Sequence, residues 1–147
     1  MISTTIDQEI KQAMLAKNQV RLRGLRAIKA ALLLARTEKG NEEVNEEAEL
    51  KILQRLVKQR KESADIYKQQ GREDLSQIEE EEIEVLVGFM PKQLDRSEIT
   101  AVVAELIKAS GVTSVKEMGK VMGLVNKELA GKADGKLIAE IVKEQLA

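Results

Sequence analysis

A single proline, Pro91, interrupts 147 residues, and on both sides of it aliphatic side chains recur every three or four positions. That spacing places apolar residues on one side of an α-helix, and a chain with so few helix breakers has no local reason to leave it. Aromatic residues are almost absent, Tyr67 and Phe89 alone, so any core is built from Leu, Ile, Val, Ala and Met. Abundant Ala, Leu, Glu and Lys favour helix further. The expected class is all-α.

The stripes and their end signals predict an order of helices. A first covers about Thr4 to Ala16, with Ile6, Ile10, Ala13 and Met14 on one side. A second covers about Gln19 to Lys39 on Leu25, Ile28, Leu32 and Ala35, and stops at Gly40, a left-handed cap. A third spans about Asn45 to Gln70 on Leu50, Leu53, Val57, Ala64 and Tyr67. A fourth spans about Arg72 to Phe89 on Leu75, Ile78, Ile83, Leu86 and Val87. Helices seldom run past the residue before a proline, so the domain boundary is expected at Pro91. The reading is a four-helix N-terminal domain over 1–90 and a small three-helix bundle over 91–147. In the second part Asp95/Glu98 and Ser114/Glu117 have capping-box spacing. Asp134 is the expected N-cap of a last helix carrying Leu137, Ile138, Ile141, Val142 and Leu146, and Gly111 and Gly131 are the expected stops.

Charge is uneven along the chain. Residues 1–40 hold 8 basic and 3 acidic side chains (net +5), residues 41–90 hold 7 and 14 (net −7), and residues 91–147 hold 9 and 8 (net +1). A total of −1 gives no bulk attraction to nucleic acid. There is no cysteine and no histidine, which removes disulfides, thiolate chemistry, the commonest general base and the commonest metal ligand. No cofactor is expected, and no catalytic residue is assigned. The six serines read as cap, helix-end or surface residues, with no glycine-rich elbow around them. Asp7, Glu9 and Lys11 stand where a signal peptide needs an apolar core. The longest purely apolar run, Ala30 to Ala35, is far too short to span a bilayer. The expectation is a cytoplasmic protein without a membrane partner.

Residues 116 to 136, KEMGKVMGLVNKELAGKADGK, contain Gly-Lys three times. A Walker A loop would need glycine at position 126, which is Asn126, and a hydroxyl at position 133, which is Ala133. That reading fails on spacing. As a helix at about 100° per residue, Met118, Val121, Met122, Val125 and Leu129 share a core face. Lys116, Lys120, Gly123 and Lys127 lie opposite, with Gly119 beside them. Glycine inside a helix costs about 1 kcal/mol relative to alanine, so two glycines away from the core suggest a close approach by something outside. The alternative is a solvated lysine face with the glycines packed against a neighbouring helix of the same chain. Elsewhere, Arg23, Arg26, Lys29 and Arg36 flank the second helix's apolar stripe, open either to phosphate or to acids of the third and fourth helices. Lys58, Arg60, Lys61, Glu62 and Asp65 read as a surface ion-pair lattice. Glu79 to Glu82 reads as a solvated face.

Four stretches carry a family resemblance: RLRGLRAIKAALL at 21–33, VKQRKESADIYKQQGREDL at 57–75, FMPKQL at 89–94 and KEMGKVMG…GKADGKLIAEIV at 116–142. Together they resemble the YqeY-like family over nearly the whole chain. The last stretch is similar to the tail domain of the B subunit of the tRNA-dependent amidotransferase, which amidates mischarged glutamyl- and aspartyl-tRNA. The resemblance implies a four-helix domain followed by a three-helix bundle. It also implies a link to tRNA, since that tail contacts tRNA outside the catalytic centres. A label of carbon–nitrogen ligase with glutamine as amide donor would be inherited from the shared tail, because the amidotransferase's glutaminase and kinase sites lie in other domains. The expected function is a non-catalytic accessory protein associated with tRNA or with the amidotransferase. Its contact residues would be Lys116, Gly119, Lys120, Gly123, Lys127, Lys132 and Lys136. The rival expectation is a protein–protein adaptor with no nucleic-acid role. With almost no aromatics for base stacking, any RNA contact would be to backbone and shape.

Overall fold

The computed structural model describes residues 1–38, 40 and 43–147, so the predicted helix end at Lys39 lies outside the described residues. The described residues form seven α-helices and one short 3₁₀ turn, with no strand among them. The chain divides into two compact units, Met1–Met90 and Pro91–Ala147.

The first unit contains α1 (Ile2–Leu15), α2 (Gln19–Glu38), α3 (Glu46–Gln69) and α4 (Glu73–Val87). Its core is aliphatic: Ile6, Ala13, Leu22, Leu25, Ile28, Leu32, Leu53, Val57 and Leu86 are buried together. Helix α3 starts at Asn45, whose side chain accepts from the Ala48 amide at 2.8 Å. Gly40 and Gly71 adopt the left-handed conformation. Two expected core residues of α4, Ile78 and Val87, are exposed instead, as is Met14 of α1. The buried face of α4 is centred on Leu86 and includes Ser76, while Ile78 and Val87, nine residues and so half a circumference apart, lie at the two edges of the expected stripe, so the buried face is narrower than that stripe.

The run Glu79 to Glu82 is not the expected solvated face. Glu80 pairs with Lys68 of α3, Glu81 with Arg23 of α2 and Glu82 with Arg60 of α3, the last only 18% exposed. The expected surface lattice around Arg60 is likewise replaced, since Arg60 reaches across to α4 and also donates to the Leu56 carbonyl. Hydrogen bonding to Glu80 raises the pKa of Lys68 above its ordinary value. Of the α2 cations, Arg23 and Lys29 are paired, with Glu81 and Asp7. Arg26 and Arg36 form no salt bridge among the described residues.

The turn between α1 and α2 holds one backbone irregularity. Lys17 has φ 55 and is the only non-glycine with positive φ among the described residues. Its amide donates to the Met14 carbonyl at 3.1 Å, and the Asn18 amide to the Ala13 carbonyl at 3.0 Å. These are the two bonds of a Schellman cap, whose left-handed position is ordinarily glycine because a Cβ there crowds the backbone. We therefore expect Lys17→Gly to stabilise the protein by about 1 kcal/mol. Urea denaturation followed by circular dichroism would read this as a higher midpoint, and an unchanged or lower midpoint would contradict it.

The second unit contains α5 (Arg96–Ser110), a 3₁₀ turn (Val115–Glu117), α6 (Met118–Glu128) and α7 (Gly135–Leu146). Its core joins Ile99, Val103, Val112, Val121, Val125, Leu129, Ala133, Ile138, Ile141, Val142 and Leu146. The capping box at Asp95 and Glu98 forms in both directions. Asp134 caps α7 by accepting from the Lys136 amide at 3.1 Å. Gly111 closes α5 in the left-handed conformation, and Gly131 adopts it after α6. The Ser114/Glu117 box does not form. Ser114 Oγ accepts from the Lys116 amide, and the segment winds as a 3₁₀ turn before α6 begins.

Candidate functional site

The lysine- and glycine-bearing residues occupy three consecutive pieces of the second unit. Gly119, Lys120, Gly123 and Lys127 lie on α6, opposite the buried Val121 and Val125. Lys116 is in the 3₁₀ turn ahead of it, so the single helical projection that groups Lys116 with Lys120 does not apply. Lys132 is in the turn after α6, where its amide donates to the Leu129 carbonyl and its own carbonyl accepts from the Leu94 amide, both at 2.9 Å. Lys136 is in the first turn of α7, with its amide held by Asp134.

The five lysine side chains are exposed. The salt bridges of this unit join Lys92 to Glu98 and Arg96 to Glu140 and Glu144, and none among the described residues involves Lys116, Lys120, Lys127, Lys132 or Lys136. Five ammonium groups are thus free to meet anionic oxygen from outside. The N-terminus of α7 offers less than a bare helix end would, because the Asp134 carboxylate already takes one of its amides.

Gly119 and Gly123 are exposed, and a Cβ added to either would meet no atom within 4 Å. Packing within the protein therefore does not require glycine at these positions. Their absence of side chains leaves a strip of bare helix backbone on α6, adjacent to Lys120 and Lys127. A phosphate chain or a neighbouring helix could approach that backbone more closely than it could a surface of longer side chains.

A cavity of about 230 Å³ in the first unit is lined by Met1, Ile2, Thr5, Glu46, Glu49, Leu50 and Phe89. Another cavity is lined by Lys68, Glu73, Ser76, Gln77, Glu80, Glu81 and Glu84. Ser76 departs from the expected surface placement of the serines. It is buried in α4, and its Oγ has no hydrogen-bond partner among the described residues. No group of three or more acidic side chains among the described residues is arranged to hold a metal ion. No helix among them is long and apolar enough to cross a membrane.

Sequence reasoning missed Glu49 entirely. It is 1% exposed, and its carboxylate accepts from the Ile2 amide at 3.1 Å and the Ser3 amide at 2.8 Å, closing the N-terminus of α1 from α3. A carboxylate in EEAEL looks like any other first-turn acid, and nothing local marks its partner 46 or 47 residues away. Gly24 was missed in the same way. It is buried in α2 against Val85 of α4, inside a stretch that reads as ordinary amphipathic helix.

One relative, the Altered inheritance of mitochondria protein 41, mitochondrial, of Clavispora lusitaniae, is 33% identical over 88 residues. The match covers 59% of this chain and spans half of that relative's length. The model of the family described as Yqey-like protein matches residues 3–146, which include both units and the whole lysine–glycine segment. The chain belongs to the YqeY-like family.

Proposed function

We propose that the protein is a non-catalytic helical accessory protein, and that residues 91–147 form a tail-like module associated with tRNA or with the amidotransferase. The observation that carries this reading is the outer face of α6. A Cβ on Gly119 or Gly123 would meet no atom within 4 Å, and the lysines beside them have no salt-bridge partner among the described residues. Ammonium groups around a strip of bare backbone suit a phosphate chain that approaches closely, and with so few aromatics the contact would be to backbone rather than bases. The similarity of 116–142 to the amidotransferase tail supports the choice of tRNA among nucleic acids.

The test is filter binding of tRNA at low salt. Binding should weaken steeply as salt rises, since each phosphate neutralised releases counterions. Lys120→Glu with Lys127→Glu should weaken binding at least about tenfold and lower the salt slope by about 2. Undiminished binding by that variant would place the contact elsewhere.

The open glycines also favour a second reading, in which α6 receives the helix of a protein partner. That adaptor reading expects a complex which survives nuclease and is broken by Gly119→Leu. The tRNA reading expects copurified RNA and loss of the complex on nuclease treatment.

A further inference from the structure

From Ile10 to Thr37 the chain contains seven basic residues and no acidic one. In the structure this stretch is most of the α1–α2 hairpin. Three of the seven are engaged by carboxylates outside the stretch: Arg21 by Glu9, Arg23 by Glu81 and Lys29 by Asp7. Lys11, Lys17, Arg26 and Arg36 are exposed and form no salt bridge among the described residues.

The same hairpin carries most of the large apolar side chains that are strongly exposed. Five large apolar side chains among the described residues are more than half exposed, and four of them are Leu15 (75%), Leu34 (61%), Met14 (55%) and Leu33 (52%). The core has no use for them. On α1, Leu15 follows Lys11 by one turn on the side away from the buried Ile6 and Ala13. On α2, Leu33 lies between Arg26, two turns before it, and Arg36, one turn after it, on one outer side of the helix. Lys17 adds a cation at the one backbone position where glycine would be unstrained. Free cations, exposed leucines and a strained lysine therefore coincide on one hairpin without contributing to the packing of the fold.

We propose that the α1–α2 hairpin is a docking surface for an anionic lipid bilayer. Interleaved lysine, arginine and leucine on the outside of a helix pair fit a membrane interface, where the leucines enter the acyl boundary and the cations meet lipid phosphates and carboxylates. Nucleic acid would use the cations but leave the leucines in water. A surface contact needs no spanning helix, so it is compatible with the absence of one among the described residues. This surface belongs to the first unit and the α6 lysines to the second, and the proposal does not depend on the proposed role of that segment.

Flotation of the full chain with vesicles tests the proposal. Vesicles of phosphatidylcholine with about 30% phosphatidylserine should carry the protein, and pure phosphatidylcholine vesicles should carry much less. Leu15→Ser with Leu33→Ser should lower partitioning at least about tenfold. Lys11→Glu with Arg26→Glu should do the same, while Lys120→Glu with Lys127→Glu should leave partitioning unchanged. The protein contains no tryptophan, so Leu15→Trp provides a single reporter whose emission should shift to the blue with anionic vesicles. All these residues are exposed, and circular dichroism verifies that each variant is folded. Failure of the parent to float with anionic vesicles would overturn the proposal. So would loss of flotation on charge reversal at Lys120 and Lys127 with none at the hairpin, or an unshifted emission in L15W.

Discussion

Gly24→Ala should destabilise the first unit by about 3 kcal/mol, at the upper end of what overpacking a core commonly costs. The backbone of α2 lies so close to α4 that a Cβ on Gly24 would sit 2.6 Å from both Cβ and Cγ1 of Val85 and 3.1 Å from its Cγ2. Contact between carbon atoms is comfortable only near 3.5–4.0 Å, so one helix must move. The pair cannot slide apart freely, because Arg23–Glu81 ties α2 to α4 and Arg60–Glu82 ties α4 to α3. Helix propensity pulls the other way, since alanine is better than glycine by about 1 kcal/mol within a helix. That gain is smaller than the clash. A double-mutant cycle isolates the cause. Val85→Ala removes Cγ1 and Cγ2 but leaves Cβ, so it should relieve only part of the loss, whereas Val85→Gly should leave Gly24→Ala nearly neutral in that background. Equal stability of Gly24→Ala and the parent in urea denaturation would show that the helices can separate at little cost.

Glu49→Ala should cost about 2–3 kcal/mol, because it leaves two amides of a helix N-terminus without their acceptor. Helix α1 has no side-chain cap of its own, and Glu49 supplies one from α3. The carboxylate also meets the positive end of the α1 dipole. Its burial is tolerable for that reason, since a buried charge without such partners would be far more costly. Glu49→Gln keeps one acceptor oxygen and loses the charge, so its effect should fall between the alanine variant and the parent. Hydrogen exchange makes the prediction specific to place. Amides in the first turns of α1 should lose protection in Glu49→Ala, while those of α5 to α7 should not change. Uniform loss, or none in α1, would mean that Glu49 acts otherwise than as a cap.

These two residues show where sequence reading stopped. The helical class, the order of the helices and most of their ends were legible, because caps and stripes act over three or four residues. Asp95 and Asp134 sit one position before the helices they cap, and Gly111 adopts the conformation expected of a stop. The Ser114/Glu117 spacing misled because the same residues also suit a 3₁₀ turn, and nothing within three residues distinguishes the two. In α4, Ile78 and Val87 looked like core and Glu82 looked like surface, yet Glu82 pairs with Arg60 in a half-buried contact and the two apolar residues face outward. How much of a helix is covered depends on what its neighbours offer, and here α2 and α3 present Arg23, Arg60 and Lys68 to the acidic run of α4.

The lysine–glycine segment divides in the same way. Its spacing alone excluded a Walker A loop and put Gly119 and Gly123 opposite the Val121–Val125 stripe. Whether a neighbouring helix covers those glycines depends on where α5 and α7 pack, and only the tertiary structure shows them open. What the amino-acid order determined by itself is what local geometry encodes: helix, cap, stop and apolar side. What tertiary structure decided is every relation between residues far apart in the chain, including the α1 cap at Glu49, the α2–α4 contact at Gly24 and the cations left without partners. The physical reason is that an α-helix is specified by bonds four residues long, while its environment is specified by packing against segments tens of residues away.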